Sequence, residues 1–511
     1  MAPYTLPMWL PLLLLLPLLL IFKLKKEVKR QNNQLPPSPF KLPILGNLHQ
    51  LGELLHQSYW QLSKKYGPVM LLHLGRIPTV VISSAEEARE VLKTHDLACC
   101  SRPLLAGSGR VSYNYKDVAF APYGDQWRNM RKLIVLELFS LKRVQSFWSL
   151  REEEVGLLIN SICEAASSAT PVNLTDKLFA LTANITFKMA FGFNYRGSKF
   201  DTERFRFHEV IHDAQAVAGS FSTGELIPFV GWIVDQITGH QARTERVFHQ
   251  LDTFLQYVID DHLKPGRKKK QDDLVDVLLG IEKEQAELGR AAQFTKSNIK
   301  AVLTNIFLGG VDTSANTVNW AMAELVRNPR VMKQVQDEIR NRVGKKGRVT
   351  EGDIDKLEYL KMVIKETFRL HPAAPLLIPR ETMSHCKISR YNIYPKTMIQ
   401  VNAWAIGRDP QYWTDPEHFF PERFADSSID FKGQNFEFLP FGAGRRICPG
   451  MHMGTITVEA VLANLLYCFD WKLPNGMQEE DIDMEERAGV SLTVSKKTPL
   501  SLVPVKYFSD C

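Results

Sequence analysis

The sequence predicts a mainly α-helical domain with small β-sheets, an α+β fold, preceded by an N-terminal membrane-anchor helix. Three observations lead to this prediction. Apolar residues recur at helical spacing from about residue 125 to residue 369. Short strand-like segments and proline-rich turns fill the chain between residues 372 and 449. Residues 1–22 contain no charged side chain.

The composition excludes several classes of protein. The chain has 511 residues, of which 45% are hydrophobic and 23% are charged, so a disordered, collagen-like or coiled-coil protein is not expected. The 7 cysteines form no Cys-x-x-Cys pair, which argues against a disulfide framework or a zinc ribbon and favours a reducing compartment. The net charge is +7, and residues 23–30 carry more than half of it. The remainder of the chain is therefore too weakly basic for a nucleic-acid-binding protein.

The first segment, residues 1–22, is long enough to cross a membrane. A helix of that length spans about 33 Å, and the hydrocarbon core of a bilayer is about 30 Å thick. The basic cluster follows the apolar segment, whereas a cleaved secretory peptide carries its charge first. This order predicts an uncleaved signal anchor with the rest of the chain in the cytosol. Pro7, Pro11 and Pro17 leave open whether the anchor helix is bent.

Two further regions follow the anchor. Residues 23–49 form a basic stop-transfer sequence and a proline-rich hinge, which we interpret as a semi-rigid tether. Residues 50–511 contain no internal repeat and no low-complexity linker, so we expect one domain. Within it, Val69 to Leu74 and Thr79 to Ile82 predict a strand pair, and Met451 to Tyr467 predict a late helix. The helical pattern between them is broken at Pro171, Gly192, Pro228, Pro265, Pro329 and Gly344.

The segment from Phe438 to Gly450 carries the most specific chemistry. It reads Phe-Leu-Pro-Phe-Gly-Ala-Gly-Arg-Arg-Ile-Cys-Pro-Gly, which predicts a loop with one cysteine near its end. Its glycines allow the backbone to approach a flat ligand, and its arginines can pair with carboxylates. A thiolate can serve as an axial ligand to iron, and the helix that follows places N–H groups beside the sulfur. A glycine-rich turn with a buried cysteine is the alternative interpretation.

This loop resembles the haem-binding loop of the cytochrome P-450 family, whose pattern is Phe-x-x-Gly-x-Arg-x-Cys-x-Gly. The pattern falls on Phe441, Gly444, Arg446, Cys448 and Gly450. The resemblance implies that haem b is the cofactor and that Cys448 is the axial ligand of its iron. It also implies a haem-binding role for the other residues of the loop, which are Phe441, Gly442, Arg446 and Gly450.

Three upstream motifs occur in the order that the family requires. Glu366 and Arg369 form a Glu-x-x-Arg motif, and Arg423 lies in a Pro-Glu-Arg-Phe motif. In the family these three side chains form a buried structural network, although an exposed ion pair would be the default for Glu366 and Arg369 alone. Trp127 and Arg131 are one helical turn apart.

The family uses this Trp-x-x-x-Arg pair on a haem propionate, although an amphipathic helix would give the same spacing. By resemblance, Arg380 and Arg446 are also assigned to the propionates.

A fourth motif indicates the type of reaction. Gly309, Gly310, Asp312 and Thr313 lie within an otherwise apolar helix, where each glycine costs about 1 kcal/mol relative to alanine. The missing side chains leave room for a ligand, and an acid beside a hydroxyl can pass protons. The segment resembles the family's (Ala/Gly)-Gly-x-(Asp/Glu)-Thr motif, which implies that Asp312 and Thr313 are catalytic. A polar hinge is the alternative interpretation.

The resemblance covers essentially the whole chain. The residues of its Pro-Glu-Arg-Phe motif and cysteine loop are similar to those of plant microsomal enzymes of specialised metabolism. It implies a monooxygenase that inserts one atom of dioxygen into an organic substrate. The electrons would come from NADPH through NADPH-cytochrome P-450 reductase. It also implies a single-pass protein of the endoplasmic reticulum membrane whose catalytic domain faces the cytosol.

The substrate is predicted from the regions that vary in this family. They are rich in aliphatic side chains, which favours a small lipophilic substrate. We expect a terpenoid, followed by an alkaloid or a phenylpropanoid, and leave hydroxylation and epoxidation as alternatives. The residues predicted to line the substrate pocket are Phe120, Phe307, Gly309, Gly310, Leu376, Leu377 and Val490.

Two other functions remain as hypotheses. A haem-thiolate dehydratase or isomerase, for example one that dehydrates an aldoxime, would need no external oxygen. A membrane-anchored haem or lipid carrier would have no catalytic activity. A carrier does not need the Asp312–Thr313 pair beside two helix glycines, which favours an enzyme.

Overall fold

A computed structural model gives the structure of most of the chain. It describes residues 34–194, 207–227, 229–267, 272–289, 294–489 and 491–508. The predicted anchor, residues 1–22, and the predicted pocket residue Val490 lie outside these ranges. In the part of the chain that is described, no helix has the length and apolarity needed to cross a membrane.

The described residues are mainly helical, as predicted, with small sheets. The α-helices before residue 200 are α1 (Leu55–Tyr66), α2 (Ala85–Arg89), α3 (Asp96–Cys99), α4 (Ala106–Val111), α5 (Asp125–Leu133), α6 (Leu141–Ser146), α7 (Trp148–Ser167) and α8 (Leu174–Phe191). The next are α9 (Phe207–Gly219), α10 (Thr223–Leu226), α11 (Gly231–Ile237), α12 (His240–His262), α13 (Leu274–Glu287), α14 (Lys296–Gly310) and α15 (Asp312–Arg327). The last are α16 (Pro329–Val343), α17 (Glu351–Ile354), α18 (Glu358–Leu370), α19 (Ala403–Ile406) and α20 (Met451–Cys468).

Nine described strands form three small sheets. The strands are β1 (Val69–Leu74), β2 (Ile77–Ile82), β3 (Val172–Asn173), β4 (Arg380–Glu381), β5 (Cys386–Ile388), β6 (Tyr391–Ile393), β7 (Met398–Val401), β8 (Phe469–Lys472) and β9 (Ser501–Lys506). The largest sheet has the order β1-β2-β7-β4, the second has β3-β9-β8, and β5 pairs with β6. The predicted strand pair is confirmed: β1 and β2 are antiparallel, with Val69 opposite Ile82.

Three of the predicted helix breaks show the expected chemistry, whereas Pro228 lies outside the described residues. Gly192 ends α8 in the left-handed region at φ +70°, where a side chain would be strained. Pro329 occupies the first turn of α16, where its missing N–H costs nothing. Gly344 follows the same helix at φ +66°.

The proline-rich hinge is packed against the domain in its described part, rather than being a free tether. The Leu71 N–H donates to the Pro37 carbonyl at 2.8 Å. The side-chain amide of Asn47 donates to Pro39 at 3.3 Å, and its oxygen accepts from the His73 N–H at 2.8 Å. Asn47 is fully buried. Hydrogen bonds to β1 therefore fix this segment, which composition alone does not reveal.

The helix pair α14 and α15 positions the site, because it belongs to both large cores. Apolar residues of α14, such as Phe307, pack with α8, α9 and α12. Apolar residues of α15, such as Met322, pack with α8, α16, α18 and α20. The junction between the two helices at Val311 therefore lies where the two cores meet.

Candidate active site

The cysteine loop is shaped by short-range backbone contacts. The Cys448 N–H donates to the Phe441 carbonyl at 3.0 Å, and Gly444–Arg446 form one 3-10 turn. Gly444 has φ +68°, and an added Cβ would lie 2.2 Å from the Leu92 carbonyl oxygen. Gly442 also has φ +68°. Both positions therefore require glycine, for conformation and, at Gly444, for space.

Cys448 differs from the other described cysteines, because it is half-buried and they are buried. Burial raises the pKa of the Cys448 thiol, whereas the Gly450 N–H and the charge of Arg131 lower it. The sulfur also lies just before the N-terminus of α20, whose dipole favours a negative charge. The surroundings thus stabilise the thiolate form of Cys448 in part, and coordination to a metal would stabilise it further.

Trp127 and Arg131 of α5 lie against the cysteine loop. The Arg446 guanidinium stacks on the Trp127 ring at 4.0 Å. The Trp127 Nε1–H donates to the Val118 carbonyl at 3.0 Å, and Arg131 Nη2 donates to the Ile447 carbonyl at 2.5 Å. The structure therefore brings both predicted residues of α5 to the arginine and the cysteine of the loop.

Arg380 also contacts the cysteine loop, and both of its terminal nitrogens donate hydrogen bonds. Its Nη1 donates to Asp96 at 2.7 Å and its Nη2 donates to the Ala443 carbonyl at 2.8 Å. The contacts of Arg380 fix the position of the loop, and its assignment to a propionate stays a prediction.

The sequence analysis missed a fourth buried cation, Arg102. It donates to the carbonyls of Ala119, Ile378 and Pro379 at 2.6 to 2.8 Å. The only sequence signal was a basic residue between Ser101 and Pro103.

These arginines form a cluster of buried positive charge. Burial and the charges of Arg380 and Arg131 lower the pKa of Arg446 to about 9. Burial and the charges of Arg446 and Arg380 also lower the pKa of Arg102. Such a cluster is stabilised by an anionic ligand. Haem carries two carboxylates and an iron that accepts a thiolate, so these arginines and Cys448 fit the group that the sequence implies.

The Glu-x-x-Arg network lies behind the loop. Arg369 donates from Nε and Nη2 to the two carboxylate oxygens of Glu366, both at 2.8 Å. Arg423 Nε donates to the same carboxylate at 3.0 Å, as does the Phe420 N–H at 2.9 Å. Glu366 and Arg369 are fully buried. The structure therefore brings the three predicted network residues together in the core.

On the other side of the site, a side chain donates a hydrogen bond to a backbone carbonyl at the junction between α14 and α15. The Thr313 hydroxyl donates to the Gly309 carbonyl at 2.6 Å. An added Cβ at Gly309 would meet no atom within 4 Å, whereas one at Gly310 would lie 3.3 Å from the Thr186 hydroxyl. Asp312 Oδ2 lies 2.5 Å from the Thr493 hydroxyl. The helix junction thus places an acid and a hydroxyl next to open space.

The loop before α5 is fixed by a polar pair that the sequence analysis also missed. Asn305 of α14 donates from Nδ2 to Asp117 at 2.8 Å, and its Oδ1 accepts from the Val118 and Ala119 N–H groups. Burial raises the pKa of Asp117 to about 6, although hydrogen bonds from Asn305 and from the backbone lower it. The sequence signal for this pair was Asn305 itself, a polar residue in a largely apolar helix segment that includes Leu303 and Ile306.

A cavity that is partly open to solvent lies beside this loop. Its walls include the predicted pocket residues Phe120, Leu376 and Leu377. Phe307 differs from the prediction, because its ring is 1% exposed and packs among Phe187, Phe191 and Phe254 at 4.9 to 5.7 Å. It faces α8 and α12, so it belongs to the core rather than to the cavity wall.

Comparisons with known proteins show the family to which the chain belongs. The sequence model of the cytochrome P-450 family matches residues 36–501. Cytochrome P-450 71B37 of Arabidopsis thaliana is 56% identical over 98% of this chain and 99% of its own length. Cytochrome P-450 71B36 of the same plant is 54% identical over 97% of this chain and 98% of its own length. The similarity therefore extends over nearly the full length of both relatives.

Proposed function

Because the chain belongs to the cytochrome P-450 family and is a haem-thiolate monooxygenase, we propose that Cys448 supplies the thiolate and that the substrate is a lipophilic specialised metabolite. The observation that carries the site assignment is the half-buried Cys448 beside a cluster of buried arginines. When bound, the haem supplies dioxygen activation, with electrons that originate from NADPH.

The chain's own residues would then have separate roles. Cys448 would donate electron density to the iron, and Phe441, Gly442 and Gly450 would shape the loop that holds this cysteine. Trp127, Arg131, Arg380 and Arg446 would bind and orient the propionates. On the opposite side, Asp312 and the Thr313 hydroxyl would pass protons into the open space at Gly309.

The direct test of the thiolate is the reduced carbon monoxide difference spectrum of microsomes that contain the full chain. We expect an absorption band at about 450 nm in the wild type, as is typical of thiolate-ligated haem, and no such band in Cys448→Ser. Cys163→Ser is the matched control, because Cys163 is a buried core cysteine of α7. A 450 nm band that persists in folded Cys448→Ser would overturn the assignment.

The preference for a lipophilic substrate rests on the cavity walls. Two charged or titratable side chains at the cavity are occupied by the protein: Arg102 binds three carbonyls, and His56 pairs with Glu486 at 2.7 Å. The remaining wall is mostly apolar, which suits a hydrocarbon skeleton such as a terpenoid. A microsomal panel of terpenoids, alkaloids, phenylpropanoids and polar acids tests the choice. Turnover of the polar acids alone would contradict it.

Dependence on dioxygen distinguishes the monooxygenase from a haem-thiolate dehydratase. The Asp312–Thr313 pair lies beside open space at the helix junction, an arrangement that serves proton delivery to oxygen. We therefore expect product formation to require NADPH, reductase and dioxygen together. Product formed at the full rate under anaerobic conditions would favour the dehydratase or isomerase.

We propose that one exposed apolar face rests on the endoplasmic reticulum membrane. Phe40, Ile44, Phe229 and Ile237 are each at least 69% exposed. The β1–β2 turn links their two segments, since its N–H groups donate to the carbonyls of Leu45 and Leu226. A contiguous apolar surface of this kind marks an interaction site.

Protease digestion of intact microsomes tests the predicted orientation. A tag after the last residue should be removed from the outside, which is the cytosolic side, without detergent. Protection of the tag would place the domain in the lumen and contradict the proposal.

NADPH-cytochrome P-450 reductase is the proposed electron donor, and the basic surface beside the cysteine loop is its proposed docking site. Arg445, Arg128, Lys132 and Lys142 are exposed there. Cations on this surface complement an acidic partner and increase the rate of association. Lys132→Glu should raise the reductase concentration needed for half-maximal reduction about tenfold, mainly at low salt. Lys283→Glu, on remote α13, is the control.

A further inference from the structure

A chain of hydrogen bonds links Asp312 to two segments that lie beside the cavity. Thr493 Oγ1 lies 2.5 Å from Asp312 Oδ2 and 2.7 Å from Gln215 Oε1. Gln215 Nε2 donates to the Leu308 carbonyl at 2.8 Å. Gln215 is 1% exposed, so water does not substitute for these partners.

The polarity of this chain can be assigned from the Leu308 end. A backbone carbonyl only accepts, so the Gln215 amide nitrogen must face Leu308 and its oxygen must face Thr493. An amide oxygen also only accepts, so the single hydroxyl proton of Thr493 points to Gln215. Both contacts of Thr493 Oγ1 can therefore be hydrogen bonds at the same time only when Asp312 Oδ2 carries a proton and donates it to Thr493.

The alternative arrangements each leave two oxygens facing each other without a proton. If Asp312 is ionised and Thr493 donates to it, the Gln215 oxygen lies 2.7 Å from an oxygen that cannot donate. If the amide is turned over, its oxygen lies 2.8 Å from the Leu308 carbonyl. Buried acceptors that face each other are destabilising.

We propose that Gln215 and Thr493 are positioning residues that hold Asp312 as a proton donor at Oδ2. This inference rests on the proposed role of Asp312 in the monooxygenase. When Asp312 loses its proton, Thr493 must turn its O–H to the carboxylate, and Gln215 loses its donor. When Oδ2 takes up a proton from water, all three hydrogen bonds form again. The hydrogen-bond chain therefore favours reprotonation of Asp312.

The two positioning residues come from segments that contact the substrate cavity. Ala218 and Gly219 of α9 and Ser491 and Leu492 line it. An added Cβ at Gly219 would lie 3.1 Å from the Leu492 nitrogen, so α9 and the segment at 491–493 are in close contact. A displacement of either segment would therefore break the chain and remove the contacts that position Asp312. Substrate binding and proton supply are thereby connected through Gln215 and Thr493.

Thr493→Val and Gln215→Leu, each in the full chain, test the proposal in microsomes with reductase, NADPH and 7-ethoxycoumarin as a lipophilic probe. We expect product formed per NADPH to fall about fivefold and hydrogen peroxide per NADPH to rise. Turnover of the same probe with cumene hydroperoxide, which needs no proton delivery to dioxygen, should stay within twofold of the wild type.

The double variant should be no worse than either single variant, since each breaks the same chain. Thr493→Ser, which keeps the hydroxyl, should restore the yield. A purely structural role would lower the NADPH-driven and hydroperoxide-driven rates together.

Matched controls are Gln336→Leu, which removes a buried amide that donates to the Phe469 carbonyl, and Thr457→Val, which removes a buried helix hydroxyl. Both should leave the yield per NADPH unchanged. Unchanged yields in Thr493→Val and Gln215→Leu, or an additive loss in the double variant, would overturn the proposal. Absence of the 450 nm band in the wild type would instead overturn the proposed function itself.

Discussion

The two sides of the site are built differently. On the thiolate side, residues 438–450 fold by contacts within a short segment, such as the Cys448 N–H to Phe441 bond. On the oxygen side, the Leu308 and Gly309 carbonyls accept from side chains, and Gln215 comes from a helix 93 residues away in sequence. The backbone shape of the thiolate side is therefore determined locally, although distant arginines hold it in place. The oxygen side depends on how distant segments pack.

The largest effect is expected when the buried network behind the cysteine loop is disrupted. Glu366→Gln leaves Arg369 and Arg423 buried without a counter-charge, which costs about 3 to 5 kcal/mol. We expect little folded haem protein, measured as the 450 nm band per unit of protein. Glu358→Gln is the control in the same helix, because Glu358 forms an exposed pair with Lys361 at 3.5 Å. A normal band in Glu366→Gln would show that the loop does not need this network.

The second prediction removes one cation from the cluster on the thiolate side. Arg446→Leu deletes the contacts with Trp127 and with the carbonyls of Cys100, Val118 and Ala121. We expect haem to transfer to apomyoglobin about tenfold faster, since a charge-assisted contact contributes about 1.5 to 3 kcal/mol.

Arg445→Leu is the neighbouring control for haem transfer, because the Arg445 side chain is about half exposed and faces Asp96. Equal transfer rates for Arg446→Leu and the wild type would mean that Arg446 supports the loop without holding the cofactor.

The third prediction concerns the oxygen side. Thr313→Ala removes the hydroxyl that donates to the Gly309 carbonyl at the helix junction. The product formed per NADPH should fall about tenfold, a small part of what general acid catalysis can contribute, while the 450 nm band stays normal.

Thr317→Ala is closely matched, since Thr317 makes the same type of bond to the Thr313 carbonyl one turn later. A similar loss in both variants would indicate a helix effect rather than proton transfer.

The same contrast explains how much could be predicted from the sequence. The helical class, the β1–β2 pair and the cysteine loop follow from local patterns, namely apolar spacing, alternation and glycine-rich turns. Arg102, Asn305, Gln215 and Thr493 were missed because their roles arise from contacts across long sequence separations. Each is a single polar residue in an ordinary context.

Phe307 shows the corresponding limit for apolar residues. Its position in the apolar helix beside Gly309 predicted a pocket wall, but the facing rings of Phe187, Phe191 and Phe254 place it in the core. The spacing of apolar residues shows which side chains share one face of a helix, but not which part of the protein that face contacts. Which neighbour covers that face is decided by packing.

The smallest expected effect tests whether the thiolate side is rigid. Glu459 lies in α20, the helix that follows the cysteine loop, and burial raises its pKa to about 7, with Asp355 and Glu351 adding to the rise. The native state therefore binds this proton more tightly than the unfolded state, and stability falls as the pH rises from about 4.5 to 7. Glu459→Gln, which is neutral at every pH, should be more stable than the wild type at pH 8 by on the order of 2 kcal/mol and nearly equal at pH 5.

The measurement is the thermal midpoint for loss of the 450 nm band at both pH values, with Glu358→Gln as the exposed control. The difference between variant and wild type cancels the titration of all other groups. A rigid thiolate side keeps Glu459 buried, so the difference should grow between pH 5 and pH 8. A difference that is the same at both pH values would mean that α20 relaxes enough to expose the carboxylate, and that this side of the site is less fixed than its backbone contacts suggest.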